Sequence, residues 1–153
     1  MKFARIFAFL LASLVFVACS DDDDNPAPEV IDTALPQGTF TVQRTGNFEP
    51  TPDAPQTDGD VQLGTDSQGR QFLRFGNNFM TNLATGGVAV YFSKSATLML
   101  SPGTGNTEVQ LVGTVNTQQE QFFLVNPAVG NDFTHVILWC VGAGVPFGVT
   151  PLN

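Results

Sequence analysis

The chain has 153 residues, and its 14 acidic against 6 basic side chains give it a formal net charge of −8. This length leaves room for one domain once a leader and a linker are set aside. The negative charge disfavours nucleic acid as a partner, because phosphates bind to basic side chains.

The N-terminal stretch 1–18 has the features of a signal peptide. Lys2 and Arg5 give it a positive start, and the apolar run 6–18 follows. This run is too short for a transmembrane helix, which needs roughly 20 apolar residues. We therefore predict a leader that directs the chain to export.

The leader ends in a motif that predicts a lipid anchor. Val17-Ala18-Cys19 resembles the lipobox of bacterial lipoproteins, with Phe16 where these motifs usually carry Leu. The resemblance implies that Cys19 is lipidated and becomes the new amino terminus, so that acyl chains hold the protein on a membrane. The alternative is an ordinary signal peptide followed by an incidental cysteine.

Residues 19–37 are predicted to form a tether with an acidic start. The aspartate run 21–24 is typical of a solvated tail. Directly after a lipidated cysteine it also resembles the export signal of Bacteroidetes-type surface lipoproteins, which implies display of an outer-membrane lipoprotein on the cell surface. The periplasmic leaflet is the alternative location. Residues 25–37 contain three prolines and predict a semi-extended spacer.

Residues 38–153 predict one all-β domain, a single antiparallel sandwich or barrel of about eight to ten short strands. Alternating or apolar runs separated by Gly, Pro and Asn lie at 39–43, 60–63, 70–75, 88–92, 108–115, 121–125, 136–141 and 145–152. In the first run, Phe40 and Val42 are expected to face inward. Residues 46–59, with three prolines, are expected to form a polar loop.

Cys140 is the residue with the clearest capacity for chemistry. If Cys19 is acylated, Cys140 is the one thiol left in the mature chain, and free cysteine is uncommon in exported proteins because it oxidises. It lies in the run 136–141, which is apolar on both faces and is expected in the middle of the domain. Two interpretations stay open: a reactive thiol, or a buried cysteine that packs as a small hydrophobic residue and whose pKa is raised by burial.

Other chemistries find little support in the sequence. It contains no nucleotide-binding glycine motif, no haem-attachment motif and no visible nucleophile–base pair, so an independent enzyme is the least favoured class. His135 and Cys140 are five residues apart and would point to opposite faces of one strand, so we predict no metal site. The acidic residues in 49–60 match no calcium loop and predict a solvated rim. Trp139 is expected in the core rather than as a stacking platform.

A series of short motifs follows the predicted strands through the domain. They are Gly38-Thr39-Phe40, Phe72-Leu73-Arg74-Phe75 with Asn77-Asn78-Phe79, Val88 to Ser93, Leu111-Val112-Gly113 with Gln121-Phe122, and Val136-Ile137-Leu138-Trp139-Cys140 followed by Val145-x-Phe147-Gly148 and Leu152. In this order they resemble the DM-thirteen domain, a small β domain found alone or beside DOMON domains and described as an electron-transfer module.

The resemblance implies a role for Cys140 in redox chemistry, as a bare thiol or as a ligand to a prosthetic group such as a haem or a metal. No motif in this sequence supports such a cofactor. Trp139 and Phe147 would line the pocket of the sulfur, and His135 is a more distant second candidate. The chain departs from the family at 85–88, where Thr-Gly-Gly-Val replaces the usual Gly-Pro-Asp-Leu, and after the cysteine, where Ala143 replaces Phe.

The sequence thus supports two hypotheses of different classes. The first is a surface-anchored lipoprotein whose β domain is a redox or electron-transfer module that uses Cys140. The alternative is a non-catalytic binding or structural module of the cell envelope in which Cys140 belongs to the core. In both, the membrane is contacted through the lipid anchor, and the sequence does not name the redox or envelope protein that would be the partner.

Overall fold

The computed structural model describes residues 35–98 and 106–153. The predicted leader, the lipidation site at Cys19 and most of the predicted tether lie outside these residues. The described part of the chain is all-β and contains no helix, and its eight strands form one nearly closed, barrel-like antiparallel sheet. The predicted fold class is therefore confirmed.

The eight strands follow one another along the chain and pair in a different order in space. They are β1 (Thr41–Pro50), β2 (Gly59–Thr65), β3 (Gln71–Phe75), β4 (Val88–Ser93), β5 (Val109–Thr114), β6 (Gln121–Leu124), β7 (His135–Cys140) and β8 (Val145–Pro151). Their order in the sheet is β5-β4-β7-β8-β1-β2-β3-β6. Strand β7 is therefore paired on both edges, as its apolar sequence predicts.

The interior of the barrel is filled by phenylalanines and branched aliphatic residues. The ring of Phe75 lies 4.5 Å from that of Phe79, 5.1 Å from that of Phe123 and 5.3 Å from that of Phe48, measured between centroids. All four side chains are buried. Aromatic rings at these distances and angles gain about 0.5–1.5 kcal/mol per pair beyond the area they bury.

Strand β1 is longer than the sequence predicts. The prediction of a loop at 46–59 is wrong for residues 46–50, which belong to β1. Phe48 lies within the strand and is fully buried, while Pro50 pairs with Gly148 of β8 at the end of the strand. Gly46 makes this path feasible, because a Cβ there would lie 2.4 Å from the carbonyl oxygen of Pro151. Gly46 and Pro50 resembled loop signals, but they lie where β1 passes from its pairing with β2 to its pairing with β8.

The antiparallel order gives the barrel two ends with different loops. The Asp66 end carries the tight turn 66–70 between β2 and β3, the loop 125–134, and the start of β1. The Cys140 end carries the loops 51–58, 76–87 and 115–120 and the turn 141–144.

Candidate functional site: the surroundings of Cys140

Cys140 is the last residue of β7 and points into the barrel. Its backbone pairs with Val88 on β4 and with Val145 on β8. The residue has no exposed surface and belongs to the main hydrophobic cluster, together with Leu138 and Phe147. It is a free cysteine.

The sulfur of Cys140 has a polar neighbour from another part of the chain. The thiol donates a hydrogen bond to Oγ1 of Thr85, at 3.5 Å, in the loop before β4. Thr85 itself is exposed, so this side chain lies between the sulfur and solvent. The sequence contains no local signal for this contact, because the two residues are brought together only by the pairing of β4 with β7.

The surroundings of the sulfur favour the thiolate. The Thr85 hydroxyl can rotate to donate to the sulfur when the thiol ionises, and this lowers the pKa of Cys140. Burial raises the pKa, and the backbone N–H groups of Ala143 and Gly142 lower it further, so that it lies below its ordinary value. Burial thus acts in the expected direction, but the hydrogen bonds outweigh it, so the net shift is opposite to the one expected from burial alone. The largest cause is Thr85, and the turn that follows the end of the strand adds the amides of Gly142 and Ala143.

The turn 141–144 and the segment 85–87 cover this end of the barrel together. The N–H of Gly144 donates to the carbonyl oxygen of Cys140 at 2.9 Å and closes the turn. The N–H of Val141 donates to the carbonyl oxygen of Gly87 at 3.2 Å. A Cβ on Gly142 would lie 3.1 Å from the carbonyl oxygen of Thr85, so the two segments are in close contact over the sulfur.

The other predicted site residues are divided between the two faces of the sheet. Phe147 is buried in the same cluster as Cys140. His135 and Trp139 alternate with the inward residues of β7, lie on its outer face and are only partly buried. The Nδ1 atom of His135 lies 2.9 Å from Oγ1 of Thr134, at the Asp66 end of the strand. The structure thus brings Phe147 to the interior with Cys140, while Trp139 and His135 do not line the surroundings of the sulfur.

The residues around Cys140 do not fit a metal ion or a haem iron held by this sulfur. Within the ranges 35–98 and 106–153, no three His, Cys, Asp or Glu side chains come together closely enough to hold a metal. The neighbours of the sulfur are the hydroxyl of Thr85, backbone amides of the following turn and hydrocarbon side chains, and the residue has no exposed surface at which a haem could lie. We therefore derive no reaction step that involves such a group.

Two surface grooves lie beside strand β6, away from Cys140. The larger, of about 440 Å³, is lined by Leu35, Asn116, Thr117 and the segment 120–123. The smaller, of about 340 Å³, lies between the turn at Gly69 and the residues that follow β6. Both are shallow and include side chains that a partner could contact.

Comparisons with known proteins return no relative for this chain. No protein-family model, no curated protein and no solved structure matches it. The resemblance to the DM-thirteen domain therefore stays a prediction that depends on the motifs alone. No helix within the described residues has the length and apolar character required to cross a membrane.

Proposed function

We propose that this chain is a lipid-anchored lipoprotein of the bacterial outer membrane, displayed on the cell surface, whose barrel acts as a non-catalytic binding or structural module of the envelope. The observation that carries the second half of this proposal is the burial of Cys140, whose residue surface is fully covered. The first half is supported by the lipobox and the acidic run of the sequence.

Burial matters because thiol chemistry needs access to the sulfur. Exchange with a disulfide or oxidation requires the second reactant to approach a thiolate that is at least partly exposed. The sulfur of Cys140 instead packs among Leu138, Phe147 and their neighbours. In this arrangement its volume and its hydrogen bond with Thr85 stabilise the barrel.

A redox function is the second candidate, and a specific observation favours it. Thr85 and the amides of Gly142 and Ala143 lower the pKa of the Cys140 thiol, as the surroundings of reactive cysteines do. Only the segment 85–87 and the turn 141–144 would need to move for a reactant to contact the sulfur. In that function the protein would pass electrons to a partner that binds the Cys140 end.

The rate of thiol labelling distinguishes these two functions. We expect the Cys19→Ala full-length chain, whose remaining thiol is Cys140, to react with a maleimide or disulfide reagent only as fast as it unfolds. The same chain in denaturant should react at once, and a Cys19→Ala/Cys140→Ala chain provides the blank. Rapid stoichiometric labelling of the native chain would overturn the packing role and favour the redox module.

The packing role also predicts mild effects of substitution. Cys140→Ala removes one buried atom of about the size of a methylene, so we expect a loss of roughly 1 kcal/mol in the free energy of unfolding. Cys140→Ser should fold as well, because its hydroxyl can keep the hydrogen bond with Thr85. Both variants should retain binding to envelope partners recovered with the wild-type protein. Loss of partner binding in a variant that folds would contradict a purely structural thiol.

The anchor is tested separately. Cys19→Ala should move the protein from the membrane fraction to the soluble fraction of the host, whereas Cys140→Ala, a matched loss of one cysteine, should leave it in the membrane. Protease treatment of intact cells should degrade the wild-type domain if it is displayed on the cell surface. Protection until the outer membrane is opened would place it on the periplasmic leaflet.

A further inference from the structure

Four neighbouring strands of the sheet, β5, β4, β7 and β8, contain no Asp, Glu, Lys or Arg in the ranges that the structure describes. The next three strands, β1, β2 and β3, carry Arg44, Glu49, Asp60 and Arg74. The whole chain has 14 acidic and 6 basic side chains. A run of four uncharged strands therefore gives the barrel two chemically different sides.

The outward side chains of the uncharged strands form three rows across the sheet. The rows are Val109, Ser93, His135 and Pro151, then Leu111, Tyr91, Ile137 and Val149, then Thr114, Ala89, Trp139 and Pro146. They alternate along their strands with inward residues such as Val90 and Leu138, and none of them belongs to the hydrophobic core cluster. We call this surface the apolar face.

The apolar face is buried at its middle and partly exposed around it. Ile137 has no exposed surface, and Ala89 is almost fully buried. Around them Trp139, Leu111 and Val149 are partly exposed. Three rows about 7 Å apart on four strands about 4.8 Å apart give an area of roughly 400 Å². This is within the range of the largest apolar patch on a typical soluble monomer, and such patches are often functional.

We propose that the apolar face contacts the surface of a lipid bilayer, with Trp139 at the level of the headgroups. This inference rests on the proposed lipid anchor, which holds the domain beside a membrane. Tryptophan and tyrosine are enriched at the boundary between hydrocarbon and water, because their rings are apolar and their N–H or O–H groups still form hydrogen bonds. Trp139 and Tyr91 lie on this face among aliphatic side chains.

The distribution of charge favours this face over the opposite one. Anionic headgroups repel carboxylates within about one Debye length, near 8–10 Å. Asp60 on β2 would meet this repulsion, whereas the four strands of the apolar face carry no carboxylate. Glu49 pairs with Val149 where β1 meets β8, and it therefore marks the border of the face on that side.

The tether joins the barrel beside the other border of the apolar face. Leu35 lies in a groove with Asn116 and Thr117, which follow the end of β5, the outer strand of the face. Residues 20–34 span at most about 50 Å when fully extended. A lipid at Cys19 can therefore reach a bilayer that lies against the apolar face without the tether passing around the barrel.

A second copy of the chain is the alternative occupant, and the size and shape of the face disfavour it. A stable dimer buries about 800 Å² on each partner, which is about twice the area of the apolar face. Two convex barrel surfaces also contact each other over only part of their area. Lipid headgroups, in contrast, can rearrange around a convex surface.

Trp139 can report contact with lipid directly, because it is the single tryptophan of the chain. A lipid is coupled chemically to Cys19 of the mature chain in a Cys140→Ala background, so that the measurement does not depend on natural lipidation. The protein is bound to vesicles of phosphatidylcholine and phosphatidylglycerol, with or without bromine on the acyl chains. Bromine quenches indole emission only at close range. We expect Trp139 to emit at shorter wavelength on both vesicles and to lose intensity on the brominated ones.

Two substitutions on β5 test whether the apolar face is responsible. Leu111→Glu and Val109→Glu each place a carboxylate on the face and leave the inward residues unchanged. Each should lower the ratio of quenched to unquenched chains by about fivefold, the factor that one charge is worth near an anionic membrane. Gln62→Glu is the matched control, because it adds the same charge on β2, where its oxygen can still accept from Arg74. It should keep the quenching of the parent chain, and circular dichroism checks that all variants fold.

Each outcome decides the proposal. Equal emission on brominated and unbrominated vesicles, from protein that sediments with them, would overturn it, and so would full quenching in both β5 variants. Shielding of Trp139 that rises with protein concentration in lipid-free solution, together with a doubled mass, would assign the face to a second copy. If the host protein carries no lipid at Cys19, the proposed anchor fails, while the coupled chain still shows whether the apolar face contacts lipid.

Discussion

In the described part of the chain, the side chain that hydrogen-bonds to the Cys140 sulfur is that of Thr85. Its effect on the thiol can be separated from its effect on packing. The two atoms lie 3.5 Å apart, and the contact is the largest cause of the lowered pKa of Cys140. Because Thr85 is exposed while Cys140 is buried, a change at Thr85 should alter the thiol with little loss of core packing.

Thr85→Val should raise the pKa of the Cys140 thiol, since valine keeps the shape of threonine and removes the hydroxyl that stabilises the thiolate. Thr85→Ser keeps a hydroxyl and should restore the lower pKa. The ultraviolet absorbance of the thiolate measures both, with Cys140→Ser as the blank. An unchanged titration in Thr85→Val would show that the turn amides alone set the pKa.

The sign of the linkage follows from the direction of this shift. A thiol whose pKa is lower in the folded chain than in the unfolded chain contributes its full stabilisation above the unfolded value, and this contribution is lost as the pH falls through the folded value. The unfolded value is about 8.5 for an ordinary cysteine. Ionisation of Cys140 therefore stabilises the fold on the alkaline side, whereas the neutral thiol contributes by packing.

At the scale of single elements, the β2–β3 turn depends on one buried carboxylate. Burial opposes ionisation of Asp66, but hydrogen bonds from the backbone of Gln37, from Arg70 and from Gln68 outweigh it and lower the pKa to about 2. The folded value is below the ordinary value of about 3.9. The stabilisation by Asp66 is therefore complete above about pH 5 and is lost as the pH falls through about 2.

We expect Asp66→Asn to lower the free energy of unfolding at neutral pH and to flatten its decrease between about pH 4 and pH 2. Asparagine has one acceptor oxygen where aspartate has two, and it carries no negative charge to pair with Arg70. Asp53→Asn, at an exposed carboxylate, is the control and should keep the wild-type dependence. Denaturant unfolding at several pH values measures this, and parallel curves for Asp66→Asn and wild type would contradict the role of Asp66.

The elements also show how far sequence patterns predict this fold. The apolar run that ends at Cys140 predicts a central strand, and alternation predicts β2, β3 and β4 within one or two residues, because each pattern is local. Strand β1 is partly missed, since Gly46 and Pro50 are loop signals whose reason here is the contact with β8. Val42 was expected to face inward, but it is 40% exposed, and β1 has a register shift between Val42 and Arg44.

The candidate site was predictable only in part, because sequence patterns are local and the contacts of the sulfur join distant parts of the chain. Cys140 is marked in the sequence as the single free thiol, whereas Thr85 is 55 positions away and has no motif. The separation of Trp139 and His135 from Cys140 follows from strand alternation and needed only the register of β7.

At the scale of the whole molecule, the hydrogen bonds of residues 35–39 define where the stable unit begins. A chain that starts at Leu35 keeps the bonds of Leu35 and Gln37 to Arg70 and Asp66, and a chain that starts at Gly38 loses them. The predicted boundary at Gly38 therefore omits residues that contact the barrel.

We expect the chain that starts at Gly38 to fold with a lower thermal midpoint than the chain that starts at Leu35. The difference should be a few degrees, because a small loss of stability shifts the midpoint of a domain of this size by about that much. Thermal unfolding of the two chains at neutral pH measures the difference. A third chain that starts at Leu35 and carries Gln37→Pro should lie between them. Identical midpoints would show that residues 35–37 contribute no stability.

The order of the strands leaves one line along the wall where backbone groups are not joined. Strands β5 and β6 are the two outer members of the sheet, and no ladder connects them within the described residues. Side chains hold this seam instead, as where Gln110 Nε2 donates to the carbonyl oxygen of Pro127 at 2.7 Å. Local opening of a protein begins where backbone bonds are fewest. The barrel should therefore open at this line first when the protein is warmed, while the six-residue ladders that join β7 to β4 and to β8 remain closed.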